Sequence, residues 1–313
     1  MSKIRFLLAV AVGAALIAGT PAFAQSKPVK VIRPDLIQAA LDGDAIAQLS
    51  VGLAFYSDGE TQDYEKAAKF LTLSAEQGNA MAQHRLGLMY FHGQGVAEDL
   101  AKAWKLWTQS AELGNPDSQR KLAFTYSKTG KHDQAFHWYL KLAEQPSDHL
   151  AEAQFQVGLA YFKGEGVEQD YAHAFKWLRK ATDSSEAAAY FYLGYCYQDG
   201  LGVAQNYQEA VRWYRRGAEQ GDTAAQLKLG FIYRKGQGVP QDFSEAAKWY
   251  RKAADQGDVD GQRKLSLMYR AGEGVPQDLK QAALWMRRAA QQGDPSAQYF
   301  LGWAYEHGEG VPP

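Results

Sequence analysis

The sequence predicts an all-α solenoid built from paired helices, and three observations carry that prediction. First, a Gly-x-Gly-Val loop recurs at Gly93–Val96, Gly164–Val167, Gly200–Val203, Gly236–Val239, Gly272–Val275 and Gly308–Val311. The spacing is 36 residues from the second copy on, and the first gap of 71 is nearly two periods. Second, a small residue followed three positions later by an aromatic keeps step with the loop: Gly52/Phe55, Gly87/Tyr90, Ala123/Tyr126, Gly158/Tyr161, Gly194/Tyr197, Gly230/Tyr233, Ser266/Tyr269 and Gly302/Tyr305. Third, the segments flanking the loop have helical rather than strand periodicity; Ala82, Leu86 and Tyr90 fall on one face at i, i+4 and i+8. A phosphate-cradling loop occurs once per site, whereas a loop repeated at a fixed period is architecture. No Lys-Ser/Thr follows "GQGVPQD" as a P-loop requires.

The elements follow in chain order. Residues 1–24 read as a secretory signal peptide, with Lys3 and Arg5 ahead of an apolar run to Ile17, a break at Gly19-Thr20-Pro21, and Ala22-Phe23-Ala24 before a cut at Gln25. The apolar run is short of the roughly 20 residues of a spanning helix. No Cys follows the cut to carry a lipid. A periplasmic or secreted location is expected, with no stable membrane span after cleavage. Residues 25–44 form a linker and a lone capping helix, because "LIQAALDGD" has the pattern of the end of a second helix. Residues 45–313 form the solenoid, about seven full repeats plus partial end units.

Within a unit, the first helix carries the small residue and the aromatic, and the loop turns the chain through its glycines and its proline. The second helix starts at Asp or Asn. In "DFSEAAKWYRKAADQGD", Asp242 is placed to cap the helix and Glu245 to complete a capping box; Asn206/Glu209 repeats the device. Gly257 ends the helix in a left-handed conformation and Asp258 caps the next one. Asn115-Pro116 and Asp294-Pro295 place proline at the first helical position.

This pattern resembles the Sel1-like repeat family, relatives of the tetratricopeptide repeats; "AQLKLGFIYRKGQGVPQDFSEAAKWYRKAADQGD", Ala225 to Asp258, carries the likeness most clearly. It extends over about Ala45 to Pro313. The resemblance implies a right-handed α/α superhelical solenoid used for protein–protein contact, often in envelope, assembly or host-interaction roles. One branch of the family carries a cysteine pair per repeat. Those cysteines are missing here, so functions tied to that branch do not carry over.

Some units depart from the pattern. The first has a loop one residue shorter, "SDGETQD". The third has "SKTGKHDQA" after Tyr126, without Gly-x-Gly-Val, and then a longer link, "EQPSDHLAEA"; a local change of superhelical twist is expected over residues 127–153. At the other end "GEGVPP" follows a first helix, so that end is expected either to be truncated or to seek a partner.

Chemistry is not indicated. No HExxH, Gly-x-Ser-x-Gly or Cys-His cluster occurs, "DVDG" at Asp258 lacks the later ligands of a calcium loop, and neither metal nor cofactor is expected. Cys196 is the single cysteine and aligns with Met89, Ile232 and Met268, so a buried structural thiol is expected. The net charge of −1 offers no electrostatic case for nucleic acid.

Function is therefore expected on a concave groove lined by the first helices. Positions on the side away from Ala82, Gln83, Leu86, Gly87 and Tyr90, read along the array, give His84, Arg120, Phe155, Phe191 and Arg263; then Phe91, Phe162, Arg234 and Arg270; then His92, Lys128, Lys163 and Lys235. Few acids oppose them, so an aromatic and mildly basic groove is expected. The expected partner is a protein or extended peptide of the cell envelope. The alternative is an envelope glycan, either peptidoglycan or an acidic exopolysaccharide.

Overall fold

A computed structural model of the chain describes residues 32–57, 62–184 and 186–311. The signal peptide and most of the linker lie outside these residues, as does most of the short "SDGETQD" loop. The described residues form sixteen helices and no strand. A short helix, α1 (Pro34–Leu41), precedes seven pairs: α2 (Ala45–Tyr56) with α3 (Tyr64–Glu76), α4 (Ala80–His92) with α5 (Leu100–Glu112), α6 (Pro116–Lys128) with α7 (His132–Ala143), and α8 (Leu150–Lys163) with α9 (Tyr171–Asp183). They continue as α10 (Ala188–Asp199) with α11 (Tyr207–Glu219), α12 (Thr223–Lys235) with α13 (Phe243–Asp255), and α14 (Val259–Ala271) with α15 (Leu279–Gln291). A further first helix, α16 (Pro295–His307), follows. Each second helix packs on its own first helix and on the next pair's first helix, so consecutive pairs stack into a solenoid with a continuous core.

Local chemistry sets the boundaries. The Asp or Asn before most second helices accepts a backbone N–H three residues on, as from Asp242 to Glu245 N at 3.0 Å. The expected capping box is only half formed, which corrects the sequence reading. The Asp242 N–H is already bonded to the Tyr233 carbonyl at 2.9 Å, and the Glu245 carboxylate instead takes the Lys248 ammonium at 2.6 Å. Asn206 behaves alike, bonding Tyr197 O, while Glu209 holds Arg212. This bond back to the aromatic's carbonyl closes the loop within each of the seven pairs, including the shortened one, where Lys131 N reaches Tyr126 O at 2.9 Å.

Packing within a pair explains the small residue on each first helix. Leu71, Leu178, Tyr214 and Tyr250 of the second helices lie against Gly52, Gly158, Gly194 and Gly230; a Cβ on Gly230 would come within 2.5 Å of the Tyr250 ring. Packing between pairs explains the second glycine of the loop. Gly274 sits on the Phe243 carbonyl at the start of the preceding pair's second helix, and Gly202 and Gly310 sit likewise on Tyr171 and Leu279.

A glutamine ladder, buried except at Gln298, also joins the pairs. Gln48, Gln83, Gln119, Gln226, Gln262 and Gln298 each donate to a carbonyl near the end of the preceding helix, at 3.0–3.4 Å. The Oε1 atoms of Gln48, Gln119, Gln226 and Gln262 accept from a glutamine that follows their own second helix, as Gln77 gives to Gln48 at 2.7 Å and Gln256 to Gln226 at 2.9 Å. After α5 that position is Leu113, 56% exposed, and the buried Gln83 Oε1 has no partner. Leu113→Gln should restore the missing donor and stabilise the chain by about 1 kcal/mol, read as a higher urea midpoint at unchanged slope.

Candidate binding face

The first helices bury one stripe in the core and leave another open. The open stripe is organised by the position of Phe231 and its equivalents: Leu53, Leu88, Phe124, Leu159, Tyr195, Phe231, Leu267 and Trp303. It is apolar in every pair, and Phe124, Phe231 and Leu267 are exposed at 51%, 41% and 38%. Three residues earlier on the helix stand Arg85, Lys121, Lys228 and Lys264; four residues later stand His92, Lys128, Lys163 and Lys235. Cations thus flank parts of the apolar row, interrupted by Gln156 and Tyr192 on one side and by Asp199 and Ala271 on the other. The sequence reading missed its central row and the Arg85–Lys264 row. Recurrence at the repeat period was the signal that would have revealed both.

The expected aromatics come together in part. Phe155 and Phe162 meet Tyr192 at centroid distances of 5.8 and 5.4 Å, and Phe191 stacks on Tyr195 at 6.5 Å. Phe155, Phe162 and Phe191 are half-buried against the core, so they form the floor of the face more than free side chains on it. Phe91 stands apart and exposed, edge-on to His92 and tilted against Trp107, with the Lys121 ammonium 5.3 Å from its centroid.

The expected basic character needs correction. Arg120 holds Glu152 at 2.7 Å, Arg234 holds Glu273 at 3.1 Å, and Arg270 holds Glu309 at 3.2 Å while covering the Trp303 ring. Arg263 pairs with Asp260 and Asp294, and Lys163 reaches Glu165 at 3.8 Å. Several of these pairs cross from one repeat to the next and neutralise the cations. Among the described residues, no carboxylate pairs with Lys121, Lys228 or Lys264. Lys121 and Lys228 instead reach back over Phe91 and Tyr195 of the preceding first helix, at 5.3 Å each. Lys128 lies over Phe124 of its own helix.

His84 is not on the open face at all. It is 6% exposed, and its Nδ1 lies 2.8 Å from Ser118 Oγ. Ser118 Oγ donates to Ser110 Oγ, which donates to the Ala80 carbonyl. The chain has one consistent direction, with a neutral imidazole donating from Nδ1. Burial pushes the His84 pKa down to about 4, and the nearby Asp117 offsets this only in part. Between pH 6.5 and 4 the unfolded chain therefore binds a proton that the folded chain refuses. Folding stability should fall with decreasing pH across this window, by on the order of 3 kcal/mol in all. Urea melts of wild type and His84→Gln at pH 7 and pH 4.5 check this: the substitution should remove most of that pH dependence.

Cys196 is fully buried with its Met89, Ile232 and Met268 equivalents, and burial pushes its thiol up to about 12. Among the described residues, no group of three or more His, Cys, Asp or Glu is placed to hold a metal ion, and no helix is long and apolar enough to cross a membrane.

The model of the Sel1 repeat matches residues 45–79, 80–115, 116–147, 151–185, 187–222, 223–258, 259–294 and 295–313. A Sel1 repeat protein from Oxalobacter formigenes is 34% identical, with a TM-score of 0.65 over 86% of this chain and 78% of that one. A protective antigen present in uropathogenic Escherichia coli strains, displaying an SLR fold, is 31% identical, with a TM-score of 0.64 over 88% of this chain and 68% of that one. No curated protein matches the sequence.

Proposed function

The chain belongs to the Sel1 repeat family, and from that premise we propose that it is a non-catalytic scaffold of the bacterial cell envelope that holds a protein or extended peptide along the open face of its first helices. Repeats of this kind generally mediate protein–protein interaction. The observation that carries the reading is the apolar row running from Phe124 through Leu159, Tyr195 and Phe231 to Leu267, most exposed at Phe124, Phe231 and Leu267, with Lys121, Lys228 and Lys264 beside those three. Exposed apolar residues scattered singly mean little, but a row aligned over neighbouring repeats gives an extended chain a track of regular anchor points. Unpaired ammonium groups beside it suit a partner with carboxylates between its apolar side chains.

Export rests on the N-terminal sequence, and the likeness to a protective antigen agrees with it. An envelope glycan fits the face less well, because sugars stack on open indole rings and the one indole in the row, Trp303, is covered by the Arg270 guanidinium.

Phe231→Ala combined with Leu267→Ala tests the proposal, since both side chains are exposed enough to be cut back without emptying the core. The double variant should keep its helicity and melting temperature. It should lose roughly 30-fold or more in affinity for the partner recovered from envelope extract. Undiminished capture by the variant, or retention of wild type by purified cell-wall glycan instead of protein, would contradict it.

A further inference from the structure

We propose a second docking surface, on the outer side of the second helices in the C-terminal half, for an acidic peptide segment with interspersed apolar side chains. It is independent of the face described above.

The two positions after the core residue that covers each first helix are Arg179-Lys180 in α9, Arg215-Arg216 in α11, Arg251-Lys252 in α13 and Arg287-Arg288 in α15. The same positions are Thr72-Leu73 in α3, Thr108-Gln109 in α5 and Leu140-Lys141 in α7. In α3 and α5 the fold is thus built as well with uncharged residues there, while Lys141 of α7 already lies over Trp138 as the later cations lie over their rings, so the cations of the later pairs are not required by packing.

These cations are held in two regular rows. Arg215, Arg251 and Arg287 bond the hydroxyls of Tyr233, Tyr269 and Tyr305. Lys180, Arg216, Lys252 and Arg288 lie over Trp177, Trp213, Trp249 and Trp285, 4.0–4.7 Å from the ring centroids. Ion pairs on these helices use Arg179, Arg212 and Lys248. Among the described residues, no carboxylate lies within ion-pairing distance of the other seven. Their charge is local in a chain whose net charge is −1. Each side chain is pre-ordered on an aromatic ring, so less freedom is lost when an anion arrives.

The ground between the cations is partly apolar. Beside α11 a shallow depression of about 490 Å³ is lined by Val211 and Val239 together with Arg212, Arg215, Arg216, Gln208 and one acid, Glu219, so cations outnumber carboxylates there by three to one. Beside α15, Leu284 and Val311 stand near Lys280 and Arg287. Carboxylates on the guanidinium rows, with aliphatic side chains in such depressions, match an acidic polypeptide. A sulfated polysaccharide has no aliphatic groups to seat there. A bilayer would need apolar side chains standing out from the strip, and of the aliphatic residues lining these two depressions only Leu284 does so, at 39% exposure.

The test measures binding of a labelled peptide of alternating glutamate and leucine, with polyglutamate, heparin and phosphatidylglycerol vesicles as competing probes. Arg216→Gln, Lys252→Gln and Arg288→Gln are combined, each copying Gln109 and so compatible with the fold. Wild type should bind the glutamate–leucine peptide best, and more weakly as salt rises. The triple variant should bind it about tenfold or more weakly with an unchanged melting temperature. The Phe231→Ala, Leu267→Ala variant should bind it like wild type, which separates this surface from the first. Unchanged affinity in the triple variant, or preference for heparin, polyglutamate or vesicles, would overturn the proposal.

Discussion

Gly274→Ala is expected to cost about 3 kcal/mol or more, while Gly272→Ala, two residues away, costs about 1 kcal/mol. Both glycines adopt positive φ, +72° at Gly272 and +69° at Gly274, so an alanine is strained at either. They differ in their surroundings. A Cβ on Gly272 meets only Gln277, its Cβ at 3.3 Å and its backbone no nearer than 3.6 Å, whereas a Cβ on Gly274 would overlap the Phe243 carbonyl of the preceding pair. That carbonyl belongs to the first turn of α13 and cannot yield without shifting the helix. The stability of a repeat array is a sum of repeat and junction terms, so the damage should appear at one junction. Denaturant unfolding of Gly274→Ala should split, with α14–α16 melting before the rest, while Gly272→Ala keeps a single transition. Equal effects would mean that the loop does not join the pairs as described.

Gly230→Leu should destabilise by about 3 kcal/mol, because Tyr250 fills the space against Gly230 and is itself 2% exposed. The equivalent position on the last helix makes the comparison informative. Gly302 has nothing within 4 Å of a built Cβ. In this 313-residue chain, Gly302→Ala should stabilise by up to about 1 kcal/mol through helix propensity alone. Opposite signs at two positions that look identical in the sequence would follow only if the small residue serves the second helix. Thermal melts decide the matter, and destabilisation at both sites would refute the packing assignment.

Much of this was legible in the residues. The period, the helix starts at Asp and Asn and the close approach at Gly230 follow from local rules, and each repeat supplies an independent reading of the same slot. What stayed hidden depends on contacts between repeats. His84 shares its slot with Arg120, Phe155 and Phe191, and only Ser118, 34 residues on, turns it inward. Arg234 is neutralised by Glu273, 39 residues away in the next loop. The capping box at Asp242 fails because its N–H is claimed by Tyr233 across the loop. Lys228 and Lys264 escaped notice because lysines on a helix read as solvated charges, until their neighbours along the solenoid form a row.

The claim that the open face of the first helices holds the partner is tested most directly by site-specific photocrosslinking in intact cells. A photoreactive phenylalanine is placed at 124, at 231 and, as a control, at Leu73 on the second helix α3. Adducts to one and the same envelope protein from 124 and 231, with none from 73, are the predicted result; adducts from 73 alone, or no protein adduct from either 124 or 231, would contradict it.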